Sequence, residues 1–210
     1  QLCELSDKIT QYLLKIRVKT IVVACNTATC YAIDFLRKKY PNTSFIGTVP
    51  ALKTAVELSH RKSIAVISTP ATSKSPYLKN LINSYASGIK IVNVGCTSLE
   101  NLVEKGFINS PEVAVLLKKY LKQAMIYNPD FIVLGCTHYP FLKTTIQKLS
   151  RLKTIDSGYA IAKRVTSLLS ERSNNKDPSV IYLTTGDPKN FAKVASQLLK
   201  TQVMAQKLII

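Results

Sequence analysis

Short apolar runs of strand length alternate with helical patterns along this chain. The predicted strands are Thr20–Ala24, Ser44–Val49, Ser63–Ser68, Lys90–Val94, Asp130–Leu134 and Val180–Thr184. The predicted helices are Leu5–Ile16, Thr29–Lys39, Ala51–Leu58, Tyr77–Tyr85, Glu112–Tyr127, Ala160–Leu169 and Pro188–Leu199. Strands and helices that alternate in this way form mostly parallel sheets with helices packed on them. The sequence therefore predicts an α/β fold.

Two of the predicted strands end in the same residue pattern. Ile21–Thr27 aligns with Ile132–His138, and each segment is an aliphatic run followed by a small residue, a cysteine and small polar residues. Ligands of parallel sheets bind beyond the carboxyl ends of the strands, where Cys25 and Cys136 lie. The simplest layout is two similar Rossmann-like lobes that face each other across a cleft, each offering one thiol. From the residues alone, burial of both cysteines as small packing residues stays open.

The residues beside these two cysteines are polar. Asn26, Thr27, Thr137 and His138 carry hydrogen-bond donors and acceptors that suit the carboxylates and the amine of an amino acid. Such side chains are poor core residues, so the pattern favours a ligand site at the two strand ends.

Composition restricts the class of protein. Hydrophobic residues make up 46% of the 210 and charged residues 20%, which is typical of a globular protein. The apolar runs are far shorter than the roughly 18 residues of a membrane span, and no signal segment opens the sequence, so we expect a cytoplasmic protein without a membrane partner. Five cysteines without a C-x-x-C pair, together with two histidines, disfavour both a structural metal and a disulfide framework.

The net charge of +17 raises the question of whether the protein binds nucleic acid, because lysine and arginine neutralise phosphate groups. The excess consists mostly of single or paired lysines along predicted helices, with few arginines and no long basic run. A solvated lysine-rich surface is therefore favoured over a nucleic-acid face.

Other candidate residues are predicted to be structural. Cys96 is expected to pack at a helix entrance where Thr97 and Glu100 fit a capping box. Cys30 is expected inside a helix and His60 on the surface, while Cys3 has no assignable role. In the Thr184–Pro188 turn, Asp187 is predicted to cap a helix that starts with Pro188.

Several motifs together carry a resemblance to a known family. They are VVACNTAT, LGCTHYP, IGTVPA, STPAT, LVEKG and TTGDP, and they extend along essentially the whole chain. The sequence resembles the glutamate racemases of the cofactor-independent aspartate/glutamate racemase superfamily. The resemblance implies direct racemisation of L-glutamate to D-glutamate for peptidoglycan, with glutamate as the small-molecule partner and without pyridoxal phosphate, metal or nucleotide. A homodimer is the expected assembly.

Inversion at Cα explains why two thiols are needed. One group must remove a proton from one face of the carbon while another donates a proton to the opposite face, and thiols titrate close enough to neutrality for both tasks. By the resemblance, Cys25 and Cys136 are these two groups, and His138 and Glu104 tune Cys136. Asn26, Thr27, Thr137 and His138 hold the substrate.

Thr72, in the STPAT loop, is a further substrate contact implied by the resemblance. The resemblance also implies the lobe boundaries. We expect 1–48 with 159–210 in the first lobe and 49–158 in the second. Family members begin with a strand and an Asp-Ser-Gly loop that do not match here, so the first lobe is expected to be incomplete at its N-terminus. The alternatives are a racemase relic that binds an amino acid without turnover, a relative acting on aspartate, and a basic nucleic-acid-associated protein.

Overall fold

Parallel strands form the framework of the protein. In the computed structural model, which describes residues 1–169 and 179–210, all strand pairings are parallel. The strands are β1 (Thr20–Val23), β2 (Ser44–Gly47), β3 (Ser63–Ser68), β4 (Lys90–Gly95), β5 (Phe131–Gly135), β6 (Lys153–Ile155), β7 (Tyr182–Thr184) and β8 (Ala205–Lys207). This arrangement confirms the predicted α/β class with parallel sheets.

Helices connect the strands and cover them. They are α1 (Leu2–Lys15), α2 (Asn26–Lys39), α3 (Leu52–Leu58), α4 (Pro70–Ser73), α5 (Pro76–Tyr85), α6 (Leu99–Glu104), α7 (Pro111–Ala124), α8 (Lys143–Ser150), α9 (Gly158–Leu168) and α10 (Pro188–Leu199). A 3₁₀ helix, Tyr139–Leu142, precedes α8. None of the described helices is long and apolar enough to cross a membrane.

The larger sheet has the strand order β4-β3-β5-β6. β3, one of its two inner strands, is buried at all six positions. This burial matches the apolar run Ile64–Ile67 at its centre, because helices cover both faces of a parallel sheet. The register pairs Ser68 of β3 with Gly135 of β5, so the carboxyl ends of these strands lie side by side. β1 pairs with β2, and β7 pairs with β8, as two further two-stranded sheets.

Apolar side chains fill the space on both faces of the larger sheet. On one face, Ile67 and Leu134 belong to a cluster with Leu117 of α7. On the other face, Ile64 and Val133 pack with Leu52 of α3. Full burial of each such side chain contributes roughly 1.5–3 kcal/mol. These contacts fix the strand ends from which the polar residues project.

The predicted strands are all present, with end positions that differ by at most two residues. Two strands were not predicted, β6 and β8, and each has only three residues. The predicted lobes, 1–48 with 159–210 and 49–158, stay a prediction, and residues 170–178 of the first lobe lie outside the described residues.

Candidate active site

The two cysteine-bearing strand ends meet at one cavity. Cys25 follows β1, Cys136 follows β5, and both line a cavity of about 190 Å³. Four of the polar residues predicted to bind substrate line the same cavity, namely Asn26, Thr27, Thr137 and His138. The fold therefore brings together two segments that lie far apart in the sequence.

Cys25 occupies the N-cap of α2. Its backbone is extended, and its Sγ accepts a hydrogen bond from the backbone N–H of Ala28 at 3.4 Å. The positive end of the helix dipole points at this sulfur. Cys25 is exposed, so a ligand can reach the sulfur from the cavity.

Cys136 has a different environment, because it is only 7% exposed. Burial raises the pKa of this thiol to about 11, and the backbone N–H of His138 opposes this rise. The negative charges of Glu100 and of Cys25 in its thiolate form add to the increase. In the free protein near neutral pH, Cys136 is therefore a protonated thiol.

His138 links Cys136 to Glu104. Its Nδ1 lies 3.7 Å from the Cys136 Sγ, and its Nε2 lies 2.9 Å from the Glu104 Oε1. A carboxylate only accepts hydrogen bonds, so Nε2 carries the ring proton and donates a hydrogen bond to the Glu104 carboxylate. In the neutral ring Nδ1 is then the acceptor, and it faces the thiol. The geometry lets His138 receive the proton of Cys136.

Asn26 and Thr137 each directly follow one of the two cysteines and line the cavity. Asn26 is 3% exposed, and its side-chain Nδ2 has no hydrogen-bond partner within the described protein. The Thr137 Oγ1 donates to the backbone oxygen of Ala24 at 3.2 Å, which joins the ends of β5 and β1. Asn26 therefore offers an unused donor to a ligand in the cavity.

Three hydroxyl groups form a cluster that we call the threonine triangle, Thr27, Thr69 and Thr72. The Oγ1 of Thr27 lies 2.9 Å from those of Thr69 and Thr72, and the last two are 3.1 Å apart. Thr27 and Thr69 line the cavity, whereas Thr72 is fully buried behind them. The structure thus places Thr72 against Thr27, and its role as a direct substrate contact stays a prediction.

The structure adds three cavity residues that the sequence analysis did not assign to the site. Thr69, Glu100 and Gly135 also line the cavity. Gly135 lies so close to Ser68 that an added Cβ would be 2.9 Å from the Ser68 Cβ, which explains the glycine before Cys136. The repeated motif could have pointed to Gly135, whereas the only sequence signal for Glu100, its spacing from Thr97, suggested a helix cap.

The predicted capping box at Thr97 and Glu100 is wrong. The N-cap of α6 is Ser98, which has a φ of 72° and makes no side-chain capping bond. Helix α6 therefore starts one residue later than the capping box requires, and the Glu100 side chain lies at the cavity instead of at the helix start.

The other structural predictions hold. Cys96 is completely buried in the core, Cys30 lies within α2, and His60 is exposed. Asp187 caps α10 by accepting from the N–H of Lys189, with Pro188 as the first helical residue.

Comparison with known sequences gives a consistent set of relatives. The sequence profile of the family described as "Asp/Glu/Hydantoin racemase" matches residues 2–165. The chain is 43% identical over 203 residues to a glutamate racemase of Clostridium acetobutylicum, covering 95% of this chain and 75% of that protein. It is 36% identical over 200 residues to a glutamate racemase of Herpetosiphon aurantiacus, covering 92% of this chain and 78% of the relative.

A solved structure with a similar fold contains a bound amino acid. The chain superimposes on glutamate racemase from Francisella tularensis in complex with D-glutamate with a TM-score of 0.85 and 26% sequence identity. The superposition covers 99% of this chain and 80% of that chain. The similarity therefore extends over the whole described fold.

Proposed function

Because this chain belongs to the Asp/Glu/hydantoin racemase family, we propose that it interconverts L-glutamate and D-glutamate by proton transfer at Cα between Cys25 and Cys136. The observation that carries the proposal is the single cavity lined by both thiols, each delivered by a separate strand end. A bound Cα between the two sulfurs has one proton acceptor and one proton donor on opposite faces, as inversion requires.

In each turnover one cysteine acts as base and the other as acid. The thiolate takes the Cα proton, and the C–H electron pair stays on Cα and the adjoining carboxylate. The opposite thiol then donates its proton to the other face and becomes the thiolate. The product is the other enantiomer, and the two cysteines have exchanged protonation states.

Cys136 needs help to act as base, because burial keeps it protonated. His138 accepts the proton through Nδ1, and Glu104 stabilises the resulting imidazolium through the 2.9 Å contact with Nε2. Asn26, Thr27, Thr137 and His138 hold the substrate, and Thr72 supports Thr27. This division gives each predicted site residue a task.

The same proposal extends to the cellular role. D-glutamate made in the cytoplasm supplies peptidoglycan synthesis, and the reaction needs glutamate as its only small-molecule partner, without a cofactor. We propose a homodimer as the assembly. The similarity to glutamate racemases does not favour a nucleic-acid partner.

The proposal is tested by turnover in deuterium oxide. With L-glutamate as substrate, the D-glutamate formed early should carry deuterium at Cα while the remaining L-glutamate stays protonated, because abstraction and donation use different groups. NMR and chiral chromatography measure both pools. Early deuterium in both pools would point to a single base, and glutamate binding without turnover would identify a relic. L-aspartate serves as the matched substrate and should react much more slowly.

A further inference from the structure

Glu100 is a cavity residue without a task in the mechanism above. It lies on α6, four residues before Glu104, so both side chains project from the same side of the helix. The adjoining side of α6 is anchored by Leu99 and Val103, which are completely buried. Glu104 contacts His138, and Glu100 lines the cavity beside the two thiols. The helix thus directs two carboxylates to one site.

The Glu100 Oε2 is buried and has no hydrogen-bond partner among the described residues. Among the described residues no Lys, Arg or His forms an ion pair with Glu100. Burying a carboxylate oxygen without a donor costs free energy. Buried polar atoms of this kind usually have a partner, and one that borders a ligand cavity indicates that the ligand supplies it.

A second unpartnered polar atom borders the same cavity. The Asn26 Nδ2 is a donor, whereas the Glu100 Oε2 is an acceptor, and both are buried. An α-amino acid carries the complementary groups, since its carboxylate accepts hydrogen bonds and its ammonium group donates them. The cavity is lined by neither lysine nor arginine. Among the described residues that line the cavity, Glu100 is the one carboxylate that can accept hydrogen bonds from the ammonium group.

We propose that Glu100 is a substrate-binding residue that accepts a hydrogen bond from the α-ammonium group, opposite Asn26, which donates to a carboxylate. The proposal rests on the proposed racemase function and deepens it, because the positions of the ammonium group and the carboxylate define the orientation of the amino acid between the thiols. It also explains how the site selects ligands. Glu100 repels carboxylates, so a dicarboxylate without an ammonium group gains nothing from this residue.

The test compares two ligands on two proteins. Glutarate has both carboxylates and the carbon chain of glutamate but lacks the ammonium group. Calorimetry with racemic glutamate avoids any change of composition by turnover. We expect Glu100→Gln to weaken glutamate binding about ten- to hundredfold, which is the range for loss of a hydrogen bond to a charged group. Glutarate binding should stay unchanged or become tighter.

Glu112→Gln is the matched control, because Glu112 is an exposed glutamate in the first turn of α7. It should change the affinity for neither ligand. Equal weakening of glutamate and glutarate by Glu100→Gln would assign Glu100 a structural role and overturn the inference, as would no weakening of either. If Glu100→Gln does not fold, Glu100→Asp is the second variant, because its shorter side chain keeps the charge but withdraws the carboxylate from the ligand. It should weaken the binding of glutamate and leave that of glutarate unchanged.

The racemase assay separates this inference from the proposed function. If the wild-type protein racemises glutamate but Glu100→Gln binds the two ligands as the wild type does, the inference fails and the function stands. If no racemisation occurs but Glu100→Gln selectively lowers the affinity for glutamate, the function fails and the inference stands. Failure of the wild-type protein to bind either ligand would overturn both.

Discussion

Cys25 and Cys136 follow equivalent strand ends but have opposite surroundings. Cys25 is exposed at the start of α2 and accepts an N–H hydrogen bond, whereas Cys136 is buried and touches His138. The pKa of Cys136 is about 11, mainly because of burial, so this sulfur holds its proton in the free protein. Asymmetry of this kind suits a pair of groups of which one must be charged and the other neutral.

Serine substitutions test which cysteines carry the reaction. We expect Cys25→Ser and Cys136→Ser each to lower kcat/KM for racemisation by about 10²–10⁴-fold, the usual contribution of a general acid or base. The loss must be equal for L- and D-glutamate, because the enantiomers have equal free energy. Cys30→Ser is the matched control and should keep most of the activity, since Cys30 does not line the cavity. A loss with Cys30→Ser as large as that with Cys25→Ser would contradict the assignment.

At the residue level, the sequence predicted much of the candidate site but not all of it. The repeated motif pointed to Cys25 and Cys136 together with their polar neighbours, because residues that directly follow a strand lie at the end of that strand in the fold. Glu100 was misread because its spacing from Thr97 matches a capping box. Only the structure, in which Ser98 is the N-cap of α6, shows that Glu100 lies at the cavity.

At the level of elements, the threonine triangle connects the helix after β1 to the helix after β3. Thr27 lies in the first turn of α2, Thr69 caps α4 by accepting from the N–H of Thr72, and Thr72 lies within α4. Each hydroxyl contacts the other two, so the two helix starts hold each other in place. The triangle therefore determines where Thr27 stands in the cavity.

Removing one hydroxyl from this cluster should have a measurable cost. Thr72→Val keeps the shape of the side chain but leaves Thr27 and Thr69 with one partner fewer, so we expect a loss of about 1–3 kcal/mol in the free energy of unfolding. Urea denaturation measures it, and the racemase assay should show a higher KM. Thr166→Val on the exposed face of α9 is the matched control and should cost less than about 0.5 kcal/mol. Equal costs for the two variants would show that the triangle contributes nothing to stability.

Element prediction succeeded where the hydrophobic pattern was long. β3 and β5 are continuous apolar runs, and the sequence predicted them within one residue at each end. β6 and β8 read Lys-Thr-Ile and Ala-Gln-Lys, which are too short and too polar to give a pattern. Their pairing with β5 and β7 creates these strands, so only the tertiary structure reveals them.

At the level of the whole molecule, the α/β fold predicted from the sequence is shared with a solved glutamate racemase. The net charge of +17 belongs to the molecule as a whole and predicted no part of the site. The favoured interpretation, a solvated lysine-rich surface, stays a prediction, as does the expected homodimer.

Buried thiols make the stability of the whole protein depend on alkaline pH. Burial, partly opposed by Tyr139, raises the pKa of Cys96 from 9.0 to about 12, and Cys136 is raised in the same direction. As the pH rises above about 9, the unfolded chain loses these protons while the folded protein keeps them. The stabilisation that the two protonated thiols give to the folded protein is therefore fully present below pH 9 and is lost as the pH rises towards 12. For each thiol, the free energy of unfolding falls by up to about 1.4 kcal/mol per pH unit in this range.

The variant Cys96→Ala isolates this effect. At pH 7 it should be less stable than the wild type by about 1 kcal/mol because of the space left in the core. Between pH 9 and 11 its stability should fall less steeply, so that the two curves converge. Urea titrations at several pH values measure both slopes, and titration of lysines and tyrosines cancels in the comparison. Parallel curves would show that Cys96 ionises equally in both states.

The hydrogen bond from Thr137 to Ala24 has a consequence for ligand capture. A hydroxyl group can donate only one hydrogen bond, and in the free protein Thr137 donates it to the carbonyl oxygen of Ala24, at the end of β1. A substrate carboxylate that accepts this hydrogen bond displaces the Ala24 oxygen as acceptor, and the direct contact between the two strand ends is then lost. Ligand affinity at this position is thus a net exchange, reduced by about 1 kcal/mol, or roughly fivefold in Kd, for the bond given up. Entry of the carboxylate and loss of this strand-to-strand contact become one event, in which the Thr137 hydroxyl exchanges one acceptor for another.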